Sequence, residues 1–460
     1  MSVKNMTAGA PWKHILKFSF PILAGAILQQ LYNTVDTVIV GRFTGESALS
    51  AVGTTNTLVF FFLSIAIGFS AGNGVLVAQY FGAGDMEKVH RAGAAGIVFM
   101  LLAGAAASAA GIIFSRWLYI HFVAVPPGIL DDTLLYFRIY CTGLLFQFGY
   151  NILSGILRAV GDSAATLYFL LLASVLNIFL DLWFVAYLDM GVAGAAVATN
   201  ISQLVSVIAA WIYMHRKYPF FRYKLQDRKA DCAIIRDTVK VGWPIAAQMM
   251  IVAMGISLIQ RAVNGFGEVM TATFTVGQRI EMYLHLPCNA LMTTLATFTG
   301  QNVGAKKLFR VKEGVKQGVL ISFVSTLILA ILIWFFARQL TACFGLGEAA
   351  SNYSVQYLKA TAFIVVILSL YVPVFGVFQG TKHAFIPTIV ALCALTLRVV
   401  VTYLVKDGEF FGHTIIWWNG IFGFSLGCII TWCCYFSGIW KKNLTNLQEI
   451  SYGRKNSSMA

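Results

Sequence analysis

Three carboxylates stand in stretches of this chain where a carboxylate is expensive. Asp36 lies in LQQLYNTVDTVIVG, Asp181 in LASVLNIFLDLWFV and Glu281 in VGQRIEMYLHLPCNALM. At the centre of a bilayer an ionisable side chain costs roughly 2.5–3.5 kcal/mol even on a lenient scale, so each needs a partner or a task. Gln29, Asn33 and Asp36 follow the spacing i, i+4, i+7, which makes one polar stripe on a helix. Asn177 precedes Asp181 by one turn. Gln147, Asn151 and Ser154 form a third stripe, and Thr199, Gln203 and Ser206 a fourth. Four polar stripes cannot all face lipid, so they are expected to converge on a cavity inside the first half of the chain. Two carboxyls with amide and hydroxyl oxygens suit a proton or Na+. One carboxyl of a close pair can take a proton from one side of a membrane and release it to the other. For Na+ the ligands would be the hard oxygens of Asp36, Asn177, Asp181 and Thr199. The sparse oxygen set favours H+. The bland alternative is that each acid only hydrogen-bonds a neighbouring helix.

The third acid belongs to a different pattern. Gln278, Glu281, His285 and Asn289 share one helical face, with Met282 and Met292 beside it. Glu281 and His285, at i and i+4, suit a counter-ion pair, a proton relay or a cation-recognising site. Metal ligation is the weakest reading, because two side chains do not complete a coordination shell.

The elements that must position these groups are membrane-spanning helices. The chain has 460 residues, 58% of them hydrophobic and only 11% charged, with a mean hydropathy of +0.75. Soluble domains carry about 25% charged residues, so a soluble core is excluded. Apolar windows of about 20 residues fall near 18–40, 51–77, 92–114, 133–156, 164–186 and 192–214. A second set falls near 241–262, 270–299, 314–337, 353–379, 384–405 and 413–438. Gln79, Gly82, Ala83, Val89 and Gly96 recur 222 positions on as Gln301, Gly304, Ala305, Val311 and Gly318. Gly155 recurs 221 positions on as Gly376. The chain is therefore a duplicated module of six spans. In so apolar a chain a duplicated half points to a transporter with its substrate path between the halves. The expected organisation is a first lobe at 1–214, a basic cytoplasmic linker at 215–240, a second lobe at 241–440 and a cytoplasmic tail at 441–460.

Charge sets the expected orientation. With the N-terminus inside, Lys4, Lys13 and Lys17, Lys88 and Arg91, the 215–240 cluster, the five basic residues of 306–316 and Lys441, Lys442, Arg454 and Lys455 all fall on the cytoplasmic side. Arg42, Arg116, Arg261, Arg338 and Lys406 face the other way. Both termini are expected in the cytoplasm. The net charge of +14 thus follows membrane topology and gives no sign of nucleic-acid binding. The eight cysteines show no metal-ligand spacing and are expected to act as small apolar residues. No cleavable leader is expected, since no A-x-A site follows the basic start. Many of the 41 glycines, and Pro21, Pro244, Pro287, Pro373 and Pro387, sit in or near spans. They are expected to allow close packing and bending.

The segments PILAGAILQQLYNTVDTVIVGRFTG, VAQYFGAGDMEKV, GILRAVGDS with NIFLD, and TFTGQNVGAKKLFRV resemble the multidrug and toxic compound extrusion (MATE) transporters. The resemblance runs from about residue 12 to 440. It implies twelve transmembrane helices in two homologous six-helix lobes arranged as a V, and export of drugs in exchange for H+ or Na+. It also implies that Asp36, Asn177, Asp181 and Thr199 match the first-lobe cation site, with Asn151 close by, and that Glu281 matches an acid of bacterial members that export cationic drugs. Gln278, His285, Asn33, Gln147 and Met282 are the further expected substrate contacts. Some relatives carry acids in the seventh and tenth spans, where this chain has none. No cofactor and no enzymatic activity are expected. The partners expected are small-molecule drugs, the coupling cation and the lipid bilayer of the cell inner membrane, with a functional monomer. A lipid-linked oligosaccharide flippase of the same superfamily is the alternative, for which Arg138, Arg279, Lys359 and Arg398 lie near or within spans. A prenyltransferase reading of NxxxD lacks the acid-rich motif at a wet helix end, and no GxxxxGK[ST] loop supplies ATP binding.

Overall fold

The computed structural model describes residues 5–223, 231–406, 408 and 412–442. Lys4, Lys224, Arg228, Lys229, Arg454 and Lys455 of the expected inner basic set, and the expected tail after 442, lie outside the described residues. The described residues form helices: α1 (Pro11–Thr44), α2 (Glu46–Gly82), α3 (Met86–Trp117), α4 (Pro127–Thr142), α5 (Leu144–Ala159), α6 (Ser163–Asp181) and α7 (Gly191–Lys217), then α8 (Cys232–Asn264), α9 (Glu268–Gly304), α10 (Leu308–Ala342), α11 (Glu348–Gly380), α12 (Phe385–Val405) and α13 (Ile415–Phe436). Ten are long and apolar enough to cross a membrane by length and composition. The eleventh span is α4 and α5 taken end to end. The twelfth is α9, whose Glu268, Arg279, Glu281, His285 and Pro287 dilute its hydropathy. A chain with ten such helices is a multi-pass membrane protein.

Two compact units are present, one built on Phe20–Ala247 and the other on Met6–Ser19 with Gln248 onward. α1 thus leaves one unit and enters the other between Ser19 and Phe20, and α8 does so between Ala247 and Gln248. In the second unit the segment before α1 is held by polar groups. Met6 donates its N–H to Gln301 Oε1 (2.9 Å), and its carbonyl accepts from Arg310 Nη2 (3.2 Å). Thr7 O accepts from Lys307 Nζ at 2.9 Å.

The same packing recurs in both units at the positions the repeat matches. A Cβ on Gly155 of α5 would lie 2.4 Å from Ser70 Oγ of α2, and one on Gly376 of α11 would lie 2.2 Å from Met292 O of α9. A Cβ on Gly96 of α3 would lie 2.4 Å from Asn73, and one on Gly318 of α10 would lie 2.9 Å from Leu295. Ser70 and Met292, and Asn73 and Leu295, are each 222 positions apart. The repeated glycines are therefore places where one helix backbone meets another with no room for a side chain. Within the second unit α11 is central, with 78% of its most apolar window buried, against 22% for α10, which turns the rest outward.

The units differ where the first carries breaks. The helix runs unbroken through Pro21, Pro244, Pro287 and Pro373. The stretch of the first unit that corresponds to α11 is cut at Gly143, between α4 and α5. The Gly143 N–H turns to Tyr140 O (3.0 Å), which frees the Ile139 carbonyl. Asn200 Nδ2 of α7 takes that carbonyl at 2.6 Å. A Cβ on Gly143 would sit 1.8 Å from Asn200 Oδ1, so the plug requires glycine. A π-helical turn, Leu182–Tyr187, begins directly after Asp181. Such turns leave helical hydrogen bonds out of register and recur where a side chain must be re-aimed.

Candidate functional site

In the first unit α1, α6 and α7 bring Asp36, Asn177, Asp181 and Thr199 together. Asp181 is fully buried, and Asn177 and Thr199 are nearly so. One end of the Asn177 amide lies 2.7 Å from Asp181 Oδ2. The other end faces Thr199, 3.3 Å from the backbone nitrogen and 3.4 Å from Oγ1. The carboxyls of Asp36 and Asp181 are close neighbours. Two carboxyls bond each other only when one carries the proton. Each also has a buried Oδ1 that no described donor reaches.

Three tyrosines that no polar stripe revealed complete this wall. Tyr32 lies beside Thr199. Tyr140 lies beside Gln147 and stacks on Tyr136, with ring centroids 6.2 Å apart. Tyr136 lies close enough to Asp36 and Asp181 to feel both charges. Gly143 lies between Tyr140 and Gln147, and Thr199 of α7 precedes Asn200, whose amide fills the break, so the irregular backbone stands beside these groups.

The remaining stripe members go elsewhere. Asn151 Nδ2 bonds the Gln147 carbonyl of its own helix (2.9 Å), and the Asn151 carbonyl accepts from Ser70 Oγ (2.5 Å). Nothing described joins it to the carboxyls. Ser206 bonds Phe169 O at 2.9 Å, in helix packing. Gln29 and Asn33 are exposed.

The second unit holds the other cluster. Glu281 of α9 is buried, and Tyr357 of α11 donates its hydroxyl to Oε2. His285 Nε2 lies 3.4 Å from Oε1, and Gln278 lies beside the Tyr357 hydroxyl. Met282 is 40% exposed and stands on the rim of this group. Behind Tyr357 stand Phe274 and Trp417, edge-on at 5.9 and 6.4 Å. Arg398 of α12 acts electrostatically on both Glu281 and Tyr357. Tyr357 is the counterpart of Tyr136, 221 positions on. Arg398 and Thr402 stand where the first unit has Asn177 and Asp181. Among the described residues no group of three or more His, Cys, Asp or Glu side chains suits a metal ion.

Comparison with known proteins gives one answer throughout. The MatE family model matches residues 21–183 and 244–404, one copy in each half. YpnP of Bacillus subtilis, named a probable multidrug resistance protein, is 30% identical over 365 residues, covering 79% of this chain and 81% of that one. YoeA of the same organism, also named a probable multidrug resistance protein, is 24% identical over 94% of both chains. Among solved structures, an outward-facing multidrug resistance MATE family transporter of the MOP superfamily shares the fold with a TM-score of 0.90. It covers 98% of this chain and 99% of that one at 22% identity. The duplicated six-helix units and the twice-matched family model agree: the chain belongs to the MatE family, the multidrug and toxic compound extrusion transporters.

Proposed function

We propose that this protein is a secondary active exporter that exchanges amphipathic, cationic organic compounds for protons across the cell inner membrane. It acts as a monomer with both termini in the cytoplasm, and it performs transport with no chemical step. The observation that carries the reading is the pairing of Asp36 with the fully buried Asp181, with Asn177 beside them. Two neighbouring carboxyls with so few further oxygen ligands favour H+ over Na+. Asn151, engaged with its own helix, is left outside the proposed coupling group. Glu281 supplies the counter-charge for cationic substrates, supported by Gln278, His285 and the flexible Met282. Asn33 and Gln147 are the proposed contacts in the first unit.

Energetics permit the exchange. One proton exchanged for one monovalent cation moves no net charge, so the pH gradient drives it, and each pH unit, about 1.4 kcal/mol, sustains about a tenfold gradient of the compound. Antiport requires that cation and drug exclude one another, so each lowers the other's affinity by the same factor. The test is dye efflux from proteoliposomes with pH and Na+ gradients imposed separately. Efflux should follow the pH gradient alone. Efflux driven by Na+ at matched pH would refute proton coupling, and efflux indifferent to both gradients would refute antiport.

A further inference from the structure

Arg398 is a charge the exchange of protons does not use. It lies in the interior of α12, where a cationic side chain is as costly as an acid. Its partners are few. Nε donates to Asn419 Oδ1 at 2.8 Å, and the guanidinium lies 4.9 Å from the centre of the Phe424 ring. Asn419 is fully buried and held in turn by its Nδ2 bonds to Ile415 O and Ile416 O at 3.1 and 2.5 Å. α13 approaches closely here, since a Cβ on Gly423 would lie 2.3 Å from Arg398 Cγ. The stem is thus fixed by a sealed amide, an aromatic face and a glycine. The head is not consumed. Arg398 is only half-buried, and neither Nη atom has a hydrogen-bond partner among the described residues. No described carboxylate lies within ion-pair distance of it.

Glu281 does not neutralise it by contact. That acid already accepts from Tyr357 and faces His285 at 3.4 Å. The hydroxyls of Tyr357 and Tyr371 lie within the reach of the Arg398 charge. A rigidly held guanidinium that presents both Nη groups matches a planar oxyanion in a way that a flexible ammonium does not.

We propose that Arg398, positioned by Asn419 and Phe424, is an oxyanion receptor, which extends the substrates to amphipathic compounds bearing a carboxylate or phosphate group. A zwitterion places its anionic group on Arg398 and its cationic group toward Glu281. This rests on the transport reading above and sharpens its substrate class.

The experiment uses one rhodamine dye in two forms, the methyl ester (a cation) and the free carboxylic acid (a zwitterion). Binding to the full chain in detergent is read by fluorescence anisotropy at neutral pH. The wild-type protein should bind the acid at least as tightly as the ester. Arg398→Gln should lower acid affinity about tenfold or more relative to the ester, the expected loss for a hydrogen-bonded charge pair. Arg398→Lys should fall between the two, because it keeps the charge and loses the fork. An acid-to-ester ratio unchanged by Arg398→Gln, or equal losses for both dyes, would overturn the proposal. The wild type alone also decides, since an acid bound more than tenfold more weakly than its ester would overturn it whether or not the variants fold. Ester bound and exported with the acid refused defeats this inference alone. Failure to bind either dye defeats the transport reading and this inference together.

Discussion

The two units start from one duplicated sequence and keep matched glycine contacts between their helices, yet they treat buried charge in opposite ways. The first unit holds two carboxyls against each other with Asn177 at hand, and no described side-chain cation touches them. The second has Arg398 where Asn177 stands and Thr402 where Asp181 stands. The tyrosine is retained in both, as Tyr136 and Tyr357. The first arrangement suits a charge that comes and goes. The second carries its cation covalently and so cannot exchange it. Duplication kept the scaffold, and on the proposed reading a few substitutions inside the helices divide the labour between a coupling site and a recognition site.

The comparison breaks most sharply at the acids. Asp36→Asn and Asp181→Asn should each abolish gradient-driven efflux, a loss of at least about a hundredfold in rate, equivalent to roughly 2.7 kcal/mol. Glu281→Gln should instead weaken cationic dyes about tenfold and spare neutral ones, because it removes counter-charge and leaves the exchange intact. Efflux assays with paired cationic and neutral substrates check both. Equal loss for all substrates in Glu281→Gln would move that residue into coupling and erase the division.

A smaller effect probes the scaffold at the start of α6. Asp162 caps that helix at Ala165 N (3.3 Å) and accepts from Lys217, Tyr213 and Tyr218 at 2.7 to 2.8 Å, whereas His383 holds the corresponding place in the second unit. Burial works to raise the Asp162 carboxyl, but the bonds from Lys217, Tyr218 and Tyr213 outweigh it and hold the group below its usual range. A depressed carboxyl stabilises the fold above its unfolded value of about 3.9 and loses that contribution as pH falls through the folded value. Asp162→Asn should therefore cost about 2 kcal/mol at neutral pH, since it leaves three donors poorly paired. Melting in detergent should show the gap between wild type and variant close as pH drops below 4. A gap independent of pH would assign the effect to packing.

Much of this was legible in the sequence because it rests on local pattern. The spans follow from runs of apolar residues, the duplication from glycines and Gln79/Gln301 at a constant offset, and the polar stripes from helical spacing. Asp36, Asn177, Asp181 and Thr199 meet because a membrane interior punishes any other arrangement. What spacing did not reveal depends on distant partners or on irregular backbone. Tyr357 reaches Glu281 across 76 positions, and a tyrosine in an apolar helix looks the same in sequence whether it faces an acid or lipid. The break at Gly143 is hidden among many glycines, since only the carbonyl of Ile139 and the amide of Asn200 make it necessary. The passage of α1 and α8 from one unit to the other leaves no trace in hydropathy, which reports burial and not which neighbours supply it.

The division of labour stands or falls on whether substrate and proton compete at the Asp36–Asp181 pair. The most direct measurement is the number of protons released per dye bound by the full chain in weakly buffered detergent solution, with and without Na+. About one proton should leave the wild type for each cationic dye bound. Sodium should not alter that count, and Asp36→Asn and Asp181→Asn should release none. Stoichiometric dye binding by the wild type with no proton release would contradict the account.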